Sequence, residues 1–337
     1  MEIGPGGFSG LTRRKRNPFR PSAVQIGRRR STRQKPSKSD SEEHTLENSP
    51  EVVVQDESVA QWLDQQQRKP SFIRSILPSR AMLLELVAEG FGTFILLQMA
   101  LGIVLSQQFA NSMQGVFPIA MLTGAAITAA CTAFSGKCAA HFNPAITWSM
   151  CVHRKFGWNK LLPYWMAQLV GATTAALVNY GMYASRIAQY EAMSGIVRSS
   201  LDGLKTAKSM GCYFADPISP ATAFLAEAFG AFLLSSVVFS LSNPRNESAQ
   251  GVFVPPIVGS TVALIISIIG PISCASLNPA RELGPRLVLR MFGWSSSVAF
   301  SQMGLYLAAA MVGATVAGLF VDRVLYPTEV EPRSVWE

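Results

Sequence analysis

Two copies of the tripeptide Asn-Pro-Ala are the residues whose types and spacing could do chemistry in this sequence. They lie among apolar residues, as Asn143-Pro144-Ala145 and Asn278-Pro279-Ala280. Asparagine is a favoured N-cap and proline suits the first helical turn, so each copy predicts the start of a short helix. A helix N-terminus carries roughly half a positive charge, so two facing ends would accept a neutral hydroxyl or water and repel cations and protons. One copy alone would be a common helix cap, but two copies indicate a site.

The residue after the second copy, Arg281, carries a charge into an apolar part of the sequence. An arginine at membrane depth is costly and normally faces a cavity, so we expect Arg281 to face a solute pathway. The alternative is a structural ion pair with the neighbouring Glu282.

The elements that position these residues are predicted to be membrane-spanning helices. Of the 337 residues, 49% are hydrophobic and only 15% are charged, whereas a soluble domain carries about 25% charged residues. Six apolar stretches have about the length that crosses a hydrocarbon core roughly 30 Å thick. Lipid offers the backbone no hydrogen-bond partners, so these stretches should be helices. They are residues 83–106, 117–135, 161–183, 221–241, 251–270 and 297–320.

The sequence also contains an internal repeat. The segment Ala88–Phe94 resembles Ala226–Phe232, and Val170–Thr173 recurs as Val312–Thr315. Together with the two tripeptides, these matches occur in the same order at nearly equal spacing. Each repeat holds three spans, so the second must cross the membrane in the opposite orientation. The predicted fold class is therefore an all-α membrane protein with six transmembrane helices and two half-helices in an inverted repeat.

Lysine and arginine are concentrated near the N-terminus. Residues 1–38 hold eleven of them, and basic flanks mark the cytoplasmic side of membrane proteins. We predict a disordered basic cytoplasmic tail over residues 1–78, a channel domain over 79–325 and a cytoplasmic C-terminal tail over 326–337. A nucleic-acid-binding role of the basic runs is the weaker alternative, and no nucleic-acid partner is predicted. The predicted location is the plasma membrane, with both termini in the cytoplasm.

The residues around the two tripeptides resemble the aquaporin, or major intrinsic protein, family. The segments His141–Thr147 and Ser276–Arg286 carry the resemblance, which extends over about residues 83–325. It implies a passive channel and a homotetramer in which each subunit has its own pore. Aquaporin pores are the standard example of proton and cation exclusion by electrostatic barriers.

The resemblance also implies a narrow selectivity filter that includes Arg281. Counted from the two asparagines, the other filter positions are Thr123, Ile266 and Ala275. Water-selective members usually place histidine at the position of Ile266, and glycerol-conducting members usually have one or two aromatic residues in the filter. This sequence has neither feature. Its filter would therefore be fairly wide and partly apolar beside Arg281.

Two charges after Arg281 favour the aquaglyceroporin-like branch of the family. Glycerol-conducting members usually carry aspartate after this arginine and a basic residue four positions further on, and Glu282 and Arg286 keep both charges. In the family, the acids matching Glu89 and Glu227 hydrogen-bond with the backbone of the half-helix loops, which we favour over a proton relay. The predicted permeants are water and small uncharged solutes such as glycerol, with ions and protons excluded.

No pattern in the sequence indicates an enzyme. The five cysteines and three histidines show no metal-ligand spacing and no catalytic constellation, so no metal and no cofactor are predicted. A water-selective aquaporin, a structural or junctional membrane protein with a closed pore, and an ion-coupled transporter are the alternative functions. Membrane lipids and further copies of the chain are the predicted partners.

Overall fold

The computed structural model describes residues 79–154, 156–246 and 251–327, all within the compact unit Pro70–Glu337. In these ranges the chain is helical and contains no strand. The predicted tail over 1–78 lies outside the described residues, as does all but the start of the predicted C-terminal tail.

Six helical segments of the described ranges are long and apolar enough to cross a membrane, which confirms the predicted fold class. They are Arg80–Ala110, Val116–Phe134, Trp158–Ser194, Pro220–Leu241, Val254–Ser273 and Ser296–Leu325. A 3₁₀ turn covers Leu201–Gly203, and a π-helix covers Val321–Leu325. In chain order, the α-helices are α1 (Arg80–Ala110), α2 (Val116–Phe134), α3 (Pro144–His153), α4 (Trp158–Ser194), α5 (Leu204–Ala207), α6 (Pro220–Leu241), α7 (Val254–Ser273), α8 (Pro279–Met291), α9 (Ser296–Ala299) and α10 (Met303–Phe320).

Helix α4 is longer than the predicted span 161–183. It continues to Ser194 and ends at Gly195, whose left-handed φ of 65° is one that glycine adopts without strain. The extra turns mix polar and apolar residues, so hydropathy gives only a weak signal for them. Contacts beyond the helix hold them instead, because the buried Glu191 forms an ion pair of 2.9 Å with Arg198, which also donates to the carbonyl oxygen of Phe292.

The predicted last span, 297–320, is interrupted. Helix α9 ends at Ala299, and α10 begins at Met303 after Gln302, whose φ of 61° breaks the helix. The side-chain amide of Gln302 donates to the carbonyl oxygen of Phe214 (3.1 Å) and accepts from the N–H of the same residue (3.0 Å). This pairing joins distant parts of the chain, so the local sequence does not reveal the break.

The two halves of the chain pack with matching contacts, as an inverted repeat requires. In the first half α1 packs against α4, and in the second half α6 packs against α10. Helices α2 and α7 pack against each other between the halves. At that crossing, a Cβ added to Gly124 or to Gly259 would lie within 2.5 Å of the other residue's carbonyl oxygen. Small residues allow this close approach of membrane helices.

We expect Gly171→Ala to destabilise the fold, because Gly171 lies where α4 crosses α1. A Cβ there would lie 2.1 Å from the carbonyl oxygen of Gly90, and overpacking costs about 1–3 kcal/mol. Gly181→Ala in the same helix is the matched control, since no neighbouring atom of the described residues lies within 4 Å of its added Cβ. The measurement is the apparent unfolding temperature in detergent. Equal values for the two variants would contradict the close crossing.

Candidate functional site

Each Asn-Pro-Ala segment begins a short helix, α3 or α8. Asn143 and Asn278 are the N-caps, and each side-chain oxygen accepts a hydrogen bond of 2.9 Å from the backbone N–H two residues further on. Proline occupies the first position of both helices, where no backbone N–H is needed. The starts of α3 and α8 therefore carry the positive ends of two helix dipoles.

The two segments contact each other. The side-chain amide of Asn143 donates to the carbonyl oxygen of Leu277 (2.9 Å), and that of Asn278 donates to the carbonyl oxygen of Phe142 (2.7 Å). Each asparagine thus binds the loop that precedes the other. A side-chain amide has two N–H groups, so each asparagine keeps one for a further partner. Both asparagines lie on the wall of the same cavity.

Buried carboxyl groups hold the loops that precede α3 and α8. Glu89 of α1 accepts a hydrogen bond from the N–H of Phe142 (2.6 Å). Glu227 of α6 accepts from the N–H groups of Ser276 and Leu277 (3.1 Å each). Both glutamates are fully buried. Their positions support a role in holding the loop backbone. Each half of the chain uses one buried glutamate in this way.

A cavity of about 650 Å³ extends past both asparagines. At the end where α7 stops and α8 starts, all four predicted filter residues lie on its wall. They come from three helices and one loop and are Thr123, Ile266, Ala275 and Arg281. Towards the other end the wall is apolar and includes Leu241 and Val254. Positions counted along the sequence from two separate tripeptides therefore converge on one space.

Arg281 reaches the cavity from the first turn of α8. Its guanidinium donates to the carbonyl oxygen of Met210 (2.8 Å) and lies 3.4 Å from the carboxylate of Glu282. The side chain remains 17% exposed, so its charge stays at the cavity wall. Arg281 therefore both lines the cavity and contacts Glu282, and its role in a solute pathway stays a prediction. The contact with Met210 is a long-range anchor for which the sequence offers no signal.

Comparison with known proteins decides the family. The sequence model of the major intrinsic protein family matches residues 77–321 of this chain. This chain belongs to that family. It is 33% identical over 208 residues to the propanediol uptake facilitator of Citrobacter freundii, covering 62% of this chain and 77% of that protein. It is 31% identical over 217 residues to a glycerol uptake facilitator protein of Pseudomonas aeruginosa, covering 64% of this chain and 78% of that protein.

The fold of this major intrinsic protein is similar to a solved structure. The X-ray structure of the aquaglyceroporin from Plasmodium falciparum matches with a TM-score of 0.65 over 72% of this chain and 97% of that one, at 22% identity. The resemblance stated from the sequence is confirmed, including its preference for the aquaglyceroporin-like branch. The chain is an integral multi-pass membrane protein of a channel family and is not an enzyme.

In this major intrinsic protein, Glu282 and Arg286 form an ion pair behind the cavity wall. Both side chains are fully buried, and Nε of Arg286 lies 2.7 Å from the carboxylate. The guanidinium also donates to the carbonyl oxygens of Cys212, Ala299 and Ser301 at 2.5 to 2.8 Å. Arg286, paired with Glu282, thus connects α8 to one segment that comes before it in the sequence and to one that comes after it.

The loop segment Met210–Tyr213 is the part of the site that sequence reasoning missed. It supplies carbonyl oxygens to Arg281 and Arg286, and the Tyr213 ring covers the Arg286 guanidinium at 4.3 Å. Burial raises the pKa of Tyr213 to about 12. Its phenol is therefore protonated at neutral pH and donates to the carbonyl oxygen of Ala299 (3.1 Å). Carbonyl groups belong to every residue, so no side-chain pattern could identify this segment.

Proposed function

We propose that this chain is a passive channel for glycerol and other small uncharged polar solutes, with water following the same path. The observation that carries the proposal is that the wall of one cavity brings together Asn143, Asn278, Arg281 and the apolar Ile266. The names of the two relatives, which describe uptake of propanediol and of glycerol, support the same class of solute.

The chemistry of the cavity wall suits a polyol. The amides of Asn143 and Asn278 and the guanidinium of Arg281 offer hydrogen-bond donors to hydroxyl oxygens. Ile266 and Val262 offer apolar surface to the carbon skeleton. A few placed polar groups within a mostly apolar lining are typical of sites that bind small molecules.

The proposed filter is wide enough for solutes larger than water because no aromatic ring occupies it. Thr123, Ile266 and Ala275 are all smaller than the aromatic residues that glycerol-conducting members use. Cations and protons would be repelled by Arg281 and by the positive ends of α3 and α8. Aquaporin-type pores are the standard example of such electrostatic exclusion.

We also propose that the chain forms homotetramers in the plasma membrane, with both termini in the cytoplasm. The basic residues within 1–38 support this orientation. Exposed apolar side chains on the long helices, such as Leu84, Phe117 and Leu264, fit contacts with lipid and with neighbouring subunits.

Stopped-flow light scattering on proteoliposomes tests the proposed function. An impermeant osmolyte is applied first and a glycerol gradient second. We expect fast shrinkage in the first case, and shrinkage followed by fast re-swelling in the second. Shrinkage without re-swelling would mean a water-selective pore. Rates equal to those of empty liposomes, with correctly folded protein, would favour a structural or junctional role.

Ile266→Phe is expected to lower glycerol permeability by about tenfold, because a ring would add bulk to the narrow part of the pore. Ile266 lines the cavity and is 8% exposed. Leu264→Phe is the matched control, since Leu264 lies on the same helix but is 63% exposed on its outer face. The readout is the re-swelling rate in glycerol. Similar rates for both variants would place the filter elsewhere.

A further inference from the structure

A pair of cysteines lies beside Arg281 at one end of the cavity. Cys274 follows α7 directly, is exposed and lines the cavity next to Ala275. Cys212 lies two residues after Met210, which anchors Arg281, and is fully buried. The Cys274 thiol contacts the carbonyl oxygen of Tyr213, the residue after Cys212, so the two cysteines lie on adjoining segments. The pair thus joins the loop that anchors Arg281 to the loop that carries the filter.

Separate contacts hold the two cysteines in place. The Cys274 thiol donates to the carbonyl oxygen of Tyr213, the residue after Cys212, at 3.4 Å. The Cys212 N–H donates to the carboxylate of Glu282 (3.2 Å), and its carbonyl oxygen accepts from Arg286 (2.5 Å). Because the Cys212 backbone is held on both sides, Cys274 is the freer of the two residues to adjust when a bond forms between the sulfur atoms.

Cys274 occupies a backbone position that suits glycine. Its φ of 71° lies in the left-handed region, which is unfavourable for a residue with a Cβ. A thiol is nevertheless presented to the cavity at this point. An exposed cysteine next to a positive charge has the surroundings of a reactive thiol, because the charge stabilises the thiolate.

We propose that Cys212 and Cys274 form a redox-active dithiol whose oxidation to a disulfide lowers solute flux through the channel. Hydrogen peroxide, a neutral molecule close to water in size, is the oxidant. It converts the exposed Cys274 to a sulfenic acid with release of one water. The Cys212 thiol then attacks that sulfur, and a second water leaves as the disulfide forms. The two sulfur atoms together lose two electrons to peroxide, and a thiol reductant reverses the change.

The division of roles follows from burial. Peroxide in the cavity meets Cys274 first, because Cys212 is shielded from the cavity. Burial raises the pKa of the Cys212 thiol well above its usual value, so Cys212 reacts with peroxide more slowly than Cys274. Cys212 is therefore the second thiol to react, and its proton leaves with the hydroxyl group of the sulfenic acid as water.

Disulfide formation would disturb the filter. The S–S bond is about 2.05 Å long, far shorter than a non-bonded contact between sulfur atoms. Disulfide formation therefore draws Cys274 toward Cys212, and we expect the adjoining Ala275 to shift relative to Arg281. A polyol that needs several contacts at once would then pass more slowly. This effect on flux rests on the proposed channel function, whereas formation of the disulfide does not.

The test uses the full-length chain in proteoliposomes. Glycerol flux is measured in the reduced protein, after hydrogen peroxide, and after later treatment with dithiothreitol. Peroxide should lower the flux by about threefold or more, and dithiothreitol should restore it. Mass spectrometry of peptides should find a Cys212–Cys274 crosslink in the oxidised sample only. If the reduced protein shows no glycerol flux, the proposed channel function is refuted. Formation of the Cys212–Cys274 crosslink can still be measured in that protein, so the two proposals can fail separately.

Serine variants separate the pair from the other thiols. Cys212→Ser and Cys274→Ser should each remove the response to peroxide, whereas Cys151→Ser, in α3, should keep it. Flux of each variant in the reduced state shows that it has folded. The proposal is overturned if both cysteines of peroxide-treated wild-type protein still react with a maleimide after the protein is denatured. It is also overturned if peroxide inhibits Cys212→Ser as strongly as wild type, because Cys274 would then act alone.

Discussion

Arg286→Ala is expected to destabilise the folded protein by about 3–5 kcal/mol, the usual cost of removing one partner of a buried ion pair. The substitution leaves the carboxylate of Glu282 buried without its partner at 2.7 Å. It also removes donors from the carbonyl oxygens of Cys212, Ala299 and Ser301. The apparent unfolding temperature in detergent should therefore fall well below that of wild type.

Arg290→Ala, one turn further along α8, is the matched control. Arg290 is exposed and donates a single side-chain hydrogen bond of 3.1 Å to Ser296, so its loss should cost no more than about 1 kcal/mol. The double variant Glu282→Gln/Arg286→Met should recover part of the stability, because both charges of the fully buried pair are then removed. Equal unfolding temperatures of the two alanine variants would show that the buried pair does not stabilise the fold.

Glu227→Ala is expected to abolish most of the solute flux while six helices still form. The substitution removes both acceptors of the N–H groups of Ser276 and Leu277. Each buried N–H left without a partner costs about 1–3 kcal/mol, so the loop that carries Ala275 and Asn278 should leave its present position. Because about 1.4 kcal/mol changes a population tenfold, we expect the loop to leave its open-pore position often enough to lower the flux by about tenfold or more. The measurement is the glycerol re-swelling rate per folded molecule in proteoliposomes.

Two further variants define the cause of the effect. Glu227→Gln keeps one acceptor oxygen and should give an intermediate flux. Ser235→Ala, on the same helix, is the control, since the buried Ser235 hydroxyl has no hydrogen-bond partner among the described residues. Its flux should equal that of wild type. Wild-type flux in Glu227→Ala would mean that the loop keeps its position without the carboxyl group.

Much of the fold can be predicted from local signals in the sequence. Long apolar stretches predict helices in lipid, and Asn143-Pro144 and Asn278-Pro279 predict two helix starts, because N-cap chemistry depends on adjacent residues alone. The predictions fail where a helix depends on distant contacts. The last turns of α4 are held through Arg198, which pairs with Glu191 and donates to the distant carbonyl oxygen of Phe292, and the break before α10 is held by Gln302.

The candidate site can be predicted in part. The family resemblance, with positions counted from the two tripeptides, implies Thr123, Ile266, Ala275 and Arg281 as filter residues, and all four lie on one cavity wall. Their role as a filter stays a prediction. The sequence does not indicate that Glu282 and Arg286 lie behind that wall as a fully buried pair, since the same charges would be compatible with an exposed position.

The sequence by itself determines the class of this protein: six spans, two half-helices and an inverted duplication. Lipid forces each apolar stretch to satisfy its own backbone hydrogen bonds, so these features follow from short segments read one at a time. Only the tertiary structure decides which partner each buried polar group finds. Arg281 binds the carbonyl oxygen of Met210, and each asparagine binds the loop of the other half. A sequence shows the donors, but nearly every residue offers a carbonyl acceptor, and folding alone brings one particular acceptor within reach.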